Sequence, residues 1–407
     1  EVEDHLAPKL SPIRNINVSR NDMSQTGGSI AVDPTDPSRL FAAMTDEQGV
    51  ANAASGSDGG IVAAMSRDGG QTWTPRVIGN AADEVLPPAA GDPDVLFDDF
   101  GNLFLAYRGV EGNNNVVAWS TDGGATFEAA AFQELVPPGS TGGTGTSAVG
   151  SPKLAFGAAN HEIWVAFEDL ANGLILAAGA GVGGVGDVGS FALKTVSGSN
   201  DGASSDIAIG PNGEVAVIWQ AVPVGASTAQ LLASFDLDGL GTGEFAMPTT
   251  VDTSTTNGEL TTPAQQSPVP LGATLAWDTS DGPHRGRLYA AYVDMADDVA
   301  GGGPELTLLT TFTDDLGVDW SDPSRVMLDA QFQSMFLPSI ALDPETGNVA
   351  VGWYGTRGPL GTVVTAADFF VATTTDGQAF SEPQQVNAGA MDAFDPALSA
   401  YGMANGF

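Results

Sequence analysis

The stretch that decides the fold is SRDGGQTW at residues 66–73, which recurs as STDGGATF at residues 120–127. Each copy follows an apolar run typical of a strand, and each places an Asp before two glycines and an aromatic residue after them. An Asp carboxylate can accept backbone N–H bonds across such a bend, and the aromatic ring can fill the space beside the next strand. The two stretches therefore predict tight hairpins. Altered forms lie at residues 234–245, 313–320 and 374–380.

These hairpins belong to a longer repeat. In each copy a short apolar strand ends in a turn, and a second strand rich in aromatic and β-branched residues follows. Copies lie at residues 29–44, 94–107, 153–167, 206–219, 274–292 and 339–354, and a seventh start lies at 397–402. Successive copies are roughly 60 residues apart, which suits four strands with their loops, and no segment shows a long helical period.

The charge of the chain excludes several kinds of partner. It carries 13 Lys and Arg against 50 Asp and Glu, a formal charge of −37, and no cysteine. Binding to nucleic acid or to an anionic membrane needs a basic surface that is missing here. Disulfides and thiolate metal sites are excluded as well. No apolar run approaches the ~20 residues that span a bilayer. The chain starts at Glu1 without Met, which fits a removed signal peptide, and we expect a secreted or cell-surface protein.

The two complete stretches match, at every position, the Asp-box pattern Ser/Thr-x-Asp-x-Gly-x-Thr-Trp/Phe. From about residue 29 to 395 the chain resembles the sialidase-like, Asp-box (BNR-repeat) β-propellers, and most closely their secreted bacterial members. The resemblance implies an all-β ring of four-stranded antiparallel blades. We expect six blades in residues 29–395, an N-terminal segment 1–28 whose strand at 12–20 closes the ring, and a C-terminal strand in 396–407. The alternative is seven blades, the last completed by the N-terminal strand.

In such a propeller the Asp-box hairpins join the third and fourth strands of a blade and lie opposite the usual ligand face. We therefore interpret them as structural. Their residues are Ser66, Asp68, Gly70, Trp73, Ser120, Asp122, Gly124, Phe127, Asp315, Gly317, Trp320, Asp376 and Phe380.

The opposite face is predicted to be acidic, with two arginines among its carboxylates. Its candidate ligand-binding residues are Asp46, Asp92, Tyr107, Arg108, Glu168, Asp169, Asp294, Tyr354 and Arg357. The alternative interpretation is that these are solvated loop charges on an acidic protein. Asp297 and Asp298, and the pair Asp92 and Asp94, are weak candidates for calcium binding. Neither the separation of the carboxylates nor their convergence can be read from the sequence.

The resemblance also supplies a test for sialidase activity. Sialidases grip the substrate carboxylate with three arginines, the first of them in an Arg-Ile-Pro phrase on the innermost strand of the first blade. Here that strand reads SIAVD at residues 29–33, and Arg14 upstream is not in that motif. Only Arg108 and Arg357 fall naturally at the ligand face. Sialidase activity is therefore disfavoured.

Three functions remain open. The first is a non-catalytic module that binds an extracellular glycan or protein, with calcium as a candidate cofactor, and the missing arginine favours it. The alternative is a glycoside hydrolase that uses the carboxylates of the ligand face. The second alternative is a structural subunit of an extracellular assembly. The sequence assigns no catalytic residue, and it leaves the ligand, the oligomeric state and the continuation of the chain past Phe407 undecided.

Overall fold

A computed structural model describes residues 15–20, 25–46, 60–80, 82–83, 85–110, 113–139, 149–222, 226–254, 256–260, 269–296, 305–327, 332–357, 366–389 and 391–392. All the regular secondary structure in these ranges is β, which confirms the predicted all-β class. None of their segments is a helix long and apolar enough to cross a membrane.

The strands, numbered in chain order, form six successive sheets. Sheet 1 contains β1 (Gln25–Val32), β2 (Leu40–Asp46), β3 (Ile61–Ser66) and β4 (Thr74–Ile78). Sheet 2 contains β5 (Ala89–Phe97), β6 (Leu103–Gly109), β7 (Asn115–Ser120) and β8 (Phe132–Leu135). Sheet 3 contains β9 (Lys153–Gly157), β10 (Glu162–Asp169), β11 (Leu174–Gly184) and β13 (Ala192–Thr195), with the short β12 (Asp187–Val188) at its edge.

Sheet 4 contains β14 (Gly202–Ile209), β15 (Val215–Ala221), β16 (Gln230–Asp236) and β17 (Thr249–Thr253). Sheet 5 contains β20 (Thr274–Trp277), β21 (Leu288–Ala296), β22 (Glu305–Thr313) and β23 (Ser324–Arg325). Sheet 6 contains β24 (Phe332–Leu342), β25 (Val349–Arg357), β26 (Ala366–Thr374) and β27 (Gln384–Gln385), and β28 (Met391–Asp392) pairs with β26. A separate two-stranded ladder pairs β18 (Glu259–Leu260) with β19 (Val269–Pro270).

In each sheet the four main strands form an antiparallel meander, as the repeat predicts. The first strands of successive sheets contact one another, so the sheets are arranged side by side with their first strands innermost. One parallel bridge, between Leu306 and Ser334, also links sheet 5 to sheet 6. This order and packing are those of propeller blades.

In the four inner sheets the second strand is apolar on both faces because it lies between two neighbouring sheets. In β6, Leu105 and Tyr107 pack against sheet 1, whereas Phe104 and Ala106 pack against sheet 3. Five hydrophobic clusters of this kind join sheets 1 and 2, 2 and 3, 3 and 4, 4 and 5, and 5 and 6. The core is thus a series of layers between sheets.

No such cluster joins sheet 6 to sheet 1 within the ranges given above, so the structure does not confirm a closed ring of six. The expected closing strand at 12–20 is also not a strand where it is described, at residues 15–20. Asn15 instead uses its side-chain amide, which donates to Ala388 O and accepts from Ala388 N at 2.8 Å each. Val18 packs beside Ala42 and Trp73 of sheet 1. The segment therefore bridges the two outer sheets without extending either.

The predicted Asp-box stretches form hairpins between the third and fourth strands; we call residues 66–73, 120–127, 313–320 and 374–380 the outer hairpins. In the first, Ser66 Oγ donates to Asp68 Oδ1 at 2.8 Å and accepts from Gly70 N at 2.9 Å. Asp68 Oδ1 also accepts from Thr72 N at 2.8 Å. The other three repeat the Ser/Thr–Asp bond and the bond from the glycine amide.

The stretched form predicted at 234–245 has a different register. Asp236, the last residue of β16, takes the place of the hairpin serine, and Asp238 Oδ1 accepts from Gly243 N at 3.1 Å. Ser234 lies within the strand and donates to Ala246 O at 2.6 Å.

Candidate functional site around Lys153

The innermost strands share an unusual start. Five of the six innermost strands have a residue with positive φ near their start. It lies two positions before the residue at which regular pairing with the second strand begins. In four of these sheets the positive-φ residue lies within a β-bulge. These left-handed residues are Gly27, Asp92, Ser204, Gly272 and Leu337. Three of them carry a Cβ, and a left-handed conformation is costly for such residues. Strained backbone at one end of the molecule marks that end as a candidate site.

Each innermost strand places one polar residue at the same register, after a β-bulge in four of the six sheets. We call these residues the axial ring: Ser29, Asp94, Lys153, Asp206, Thr274 and Ser339. Their partners on the second strands occupy one equivalent position in every sheet: Ala43, Ala106, Ala166, Ile218, Ala291 and Gly352.

Members of the axial ring connect sheet 1 to sheet 2, sheet 2 to sheet 3, and sheet 4 to sheet 5. Ser29 Oγ accepts from Val95 N at 3.1 Å, Asp94 Oδ2 from Leu154 N at 2.8 Å, and Asp206 Oδ2 from Leu275 N at 2.8 Å. A backbone amide of one innermost strand is thus satisfied by the side chain of the preceding sheet.

A second series of bonds lies nearer the rim, at the ends of the second strands. Thr45 Oγ1 accepts from Asp92 N, Glu168 Oε1 from Ser205 N, and Gln220 Oε1 from Leu271 N, each at 2.9 Å. Thr, Glu and Gln serve equally as acceptors here, just as Ser and Asp do in the axial ring. The carboxylates of Asp94, Glu168 and Asp206 therefore carry charge that the connections between sheets do not require.

That surplus charge surrounds one cation. Lys153 begins β9, between Asp94 on one side and Asp206 on the other. The Lys153 side chain is exposed at the start of the strand, and partial desolvation by the surrounding protein would by itself lower its pKa. The carboxylates of Asp94, Asp206 and Glu168, with Asp92 beyond them, outweigh the desolvation and raise the pKa of Lys153 above its ordinary value. The ammonium group stays charged at the centre of an acidic cluster.

Two acids of the cluster hold a proton more readily than usual. Burial raises the pKa of Glu168 although Ser205 donates to it from both N and Oγ. Burial also raises the pKa of Asp206 despite the charge of Lys153 and the bond from Leu275 N. Desolvation outweighs stabilisation of the anion at both positions.

Asp92 has a different environment. It is held in the left-handed conformation at φ 54°, and its Oδ2 lies 3.0 Å from Nη2 of Arg108. Its side chain is 16% exposed and that of Arg108 is 26% exposed. Both therefore border the solvent at the end of the sheets where the innermost strands begin, around the axis about which the sheets are arranged. The predicted candidates Asp92, Arg108 and Glu168 are thus brought together with Lys153.

Three other predicted residues lie at the same end of the sheets with local roles. Tyr107 is buried and donates to Pro87 O at 2.8 Å, and burial raises its pKa far above its ordinary value. Asp169 accepts from the amides of Ala171 and Asn172 in its own turn. Asp46 ends β2, and its buried Oδ1 has no hydrogen-bond partner among the residues that the structure describes.

The remaining predicted residues belong to sheets 5 and 6. Asp294 is buried and accepts from Ser254 Oγ at 2.7 Å. Tyr354 packs between Phe336 and Phe369. The guanidinium group of Arg357 lies 4.5 Å from the ring centroid of Phe370. The two predicted arginines therefore have different environments, Arg108 beside a carboxylate and Arg357 over an aromatic ring.

The calcium candidates Asp297 and Asp298 lie outside the described residues. Among the residues that are described, no group of three or more His, Asp or Glu side chains is arranged to hold a metal ion. The other calcium pair, Asp92 and Asp94, has Arg108 and Lys153 as its cationic neighbours.

Sequence reasoning missed Lys153 and Asp206 and assigned Asp94 only to calcium. A signal was available: the axial-ring residue is the polar residue that opens each apolar first strand. A proline precedes it in sheets 2, 3 and 6, at Pro93, Pro152 and Pro338. The register of the second strands is needed to show that these residues are equivalent.

No family model matches the sequence, and no curated protein sequence matches it. Among solved structures, the chain is similar to an α-L-arabinanase of Penicillium chrysogenum complexed with arabinobiose, at 11% identity and a TM-score of 0.46, over 91% of this chain and 94% of that one. It is also similar to a leech intramolecular trans-sialidase, at 10% identity and a TM-score of 0.48, over 92% and 70%. A third is a polysaccharide lyase, an ulvan lyase, at 13% identity and a TM-score of 0.47, over 92% and 82%.

Proposed function

We propose that this protein hydrolyses neutral glycosidic bonds at the end of the axis around Lys153, outside the cell, where counterions screen its charge of −37. One observation carries the proposal. The carboxylates of Asp94, Asp206 and Glu168 surround Lys153. At the equivalent positions of other sheets, the uncharged side chains of Ser29, Thr45 and Gln220 accept the same hydrogen bonds between sheets.

The proposed chemistry follows from the two kinds of acid in the cluster. Glycoside hydrolysis uses one protonated carboxylic acid, which donates to the leaving oxygen, and one ionised carboxylate on the other side of the bond. Asp206, whose pKa is raised by burial, is the proposed general acid. Asp92, paired with Arg108, is the proposed ionised carboxylate. Lys153 can donate a hydrogen bond to a sugar hydroxyl.

The charge of the cluster indicates the class of substrate. Four carboxylates face one lysine, with Arg108 committed to Asp92, so an anionic sugar is repelled. A neutral sugar offers hydroxyl groups that donate to carboxylates. Neutral glycans are therefore the proposed substrates, and sialosides are not.

A second candidate, glycan binding without catalysis, is favoured by a separate observation. Asp94 accepts from Ser29 Oγ at 2.8 Å through one oxygen and from Leu154 N through the other, and Asp206 also accepts from a backbone amide. Carboxylates committed in this way can still accept a hydroxyl hydrogen bond at a free lone pair.

The test is a panel of chromogenic neutral glycosides, with sialosides included, assayed beside calorimetric binding of the matching sugars. Asp206→Asn and Asp92→Asn should each lower kcat by about 10²–10⁴-fold. Asp343→Asn, a change to an exposed turn at the opposite end of sheet 6, is the matched control and should leave kcat unchanged.

The pH profile adds a second readout. Activity should fall as the pH rises through the raised pKa of Asp206, because the general acid is then deprotonated. Saturable sugar binding without turnover would select the second candidate. Neither turnover nor binding across the panel, or equal turnover in all three variants, would refute both.

A further inference from the structure

The two outer sheets each present a face that no neighbouring sheet covers. Ile30 and Val32 of β1 are 59% and 49% exposed, whereas their equivalents in β5, Val95 and Phe97, are 6% and 7% exposed. The difference follows from position, because Val95 and Phe97 pack against sheet 1. The side chains of Ile30 and Val32 lie on the same face of sheet 1, the face that a preceding sheet would cover.

The outer face of sheet 6 is uncovered in the same way. Ser339 and Ala341 of β24 are exposed, although the rest of that sheet's core is well packed against sheet 5. Tyr354 and Phe369 lie on this outer face and are only partly buried. A slot with an apolar lining therefore lies between sheets 6 and 1, and residues 15–20 bridge one part of it through Asn15 and Val18.

The chain contains a segment that fits the slot. Residues 395–398 read Asp-Pro-Ala-Leu, and residues 92–95, which begin the innermost part of sheet 2, read Asp-Pro-Asp-Val. The Pro falls at the position that Pro93, Pro152 and Pro338 hold before their axial-ring residues. The small and apolar residues of 397–400 then follow the pattern of a first strand.

We propose that residues 395–401 of this chain lie in the slot as a seventh innermost strand. In this register Ala397 takes the axial-ring position, and Leu398 N donates to Ser339 Oγ as Val95 N donates to Ser29 Oγ. Leu398 and Ala400 pack on sheet 6, and Ala397 and Ser399 cover Ile30 and Val32. The slot holds a strand of this protein and is not a glycan site.

The absence of cysteine from the chain permits a direct test by engineered disulfides. The double variant Ser339→Cys with Leu398→Cys places one thiol at each side of the proposed contact. Ser339→Cys with Asn405→Cys is the matched control, with the second thiol seven residues out of register. Mild oxidation of the first variant should give an intramolecular disulfide, seen by mass spectrometry, at least tenfold faster than in the control.

Equal rates in the two variants would overturn the proposal. Disulfide-linked dimers as the main product would also overturn it and would assign the slot to a second copy.

A second measurement keeps the test independent of the cysteines. Ile30→Ser should lower the Tm of the full chain, because the strand covers Ile30. It should leave the Tm unchanged in a full chain that also carries Leu398→Asp, because the added carboxylate keeps the strand out of the apolar slot and nothing then covers Ile30. Equal losses of Tm in the two backgrounds would refute the proposal. Neither measurement involves the carboxylates around Lys153, so its outcome is independent of the proposed glycosidase activity.

Discussion

The backbone amides at the two ends of the sheets obtain their hydrogen-bond partners in different ways. At one end the outer hairpins satisfy their backbone amides within about eight residues, as Ser66 and Asp68 do for Gly70 and Thr72. At the other end, amides in the innermost strands of sheets 2 to 5 are satisfied by side chains of the preceding sheet, as Thr45 does for Asp92. The hairpin end is therefore locally determined, whereas the Lys153 end depends on the packing of whole sheets.

The scarce cations follow the same division. Three of the 13 Lys and Arg side chains hold hairpin carbonyl groups of the next sheet. Arg76 Nη2 donates to Gly124 O at 2.6 Å, Arg287 Nη1 to Asp376 O at 3.1 Å, and Lys194 Nζ to Gly239 O at 2.6 Å. At the other end Lys153 is surrounded by carboxylates instead. Cations thus connect sheets at the hairpin end and balance charge at the opposite end.

The largest expected effect comes from Lys194, which makes the most hydrogen bonds of these three cations. Lys194 Nζ donates to Asp236 Oδ2 at 2.7 Å and to the carbonyl groups of Gly239, Gly241 and Gly243. Lys194→Met leaves the Asp236 carboxylate, whose side chain is 0% exposed, without its counterion. We expect a loss of about 3 kcal/mol in the free energy of unfolding, measured by urea denaturation.

Arg285→Met is the matched control, because the contact of Arg285 with Asp281 is exposed on both sides at 3.7 Å and its bonds to Thr279 O and Ser280 O lie within its own turn. Its effect should stay below about 0.5 kcal/mol. Similar losses in the two variants would show that enclosure of the cation by the hairpin carbonyls is not what stabilises this end.

The second prediction tests whether a hairpin is satisfied within itself. Ser120 Oγ accepts from the buried Gly124 N at 3.0 Å and donates to Asp122 Oδ1 at 2.7 Å. Ser120→Ala leaves that amide without a partner and should cost about 2 kcal/mol in the free energy of unfolding. Ser120→Thr is the control and should cost little, because Thr313 and Thr374 make the same bonds. Equal losses in both variants would contradict the role assigned to the hydroxyl.

This contrast explains how much could be predicted from the sequence. The hairpins were predicted because Ser, Asp, Gly and an aromatic residue within eight positions determine their own hydrogen bonds. The all-β class and the four-stranded sheets followed from the spacing of the copies of the longer repeat and from the resemblance to Asp-box propellers. The cluster around Lys153 was missed because its members lie on sheets 2, 3 and 4 and meet only when the sheets pack. Asp169 shows the converse, since its own turn satisfies a carboxylate that was predicted to bind ligand.

The uncovered faces of sheets 1 and 6 could not be predicted for a related reason. Ile30 and Val95 occupy the same place in their repeats and look alike in the sequence. Only the neighbouring sheet distinguishes them, and no local pattern reports whether that neighbour is present.

The third prediction concerns the Lys153 end and depends on pH. Lys153 lowers the pKa of both Glu168 and Asp206, so Lys153→Met raises both further and leaves the carboxylates to repel one another. The expected loss at pH 7 is about 1 kcal/mol, because solvent reaches the cluster and screens it. Acid protonates carboxyls of raised pKa and removes the repulsion, so the Tm difference from the wild type should shrink as the pH falls from 7 to 4. Lys153→Arg, the control, should follow the wild type.

The smallest expected effect separates the two ends by the pH range over which acid removes the difference between variant and wild type. Thr72 and Ser66 bond to the Asp68 carboxylate and lower its pKa from 3.8 to about 2. A carboxyl of lowered pKa stabilises the folded state above its unfolded pKa and loses that contribution as it is protonated. The Tm difference between the wild type and Asp68→Asn should therefore be constant above pH 5 and disappear between pH 4 and pH 2. The Lys153→Met difference should already have shrunk above pH 4. If the Tm differences of the two variants instead shrink over the same pH range, the carboxylates at the two ends titrate alike. The environment described for one of the two ends would then be wrong.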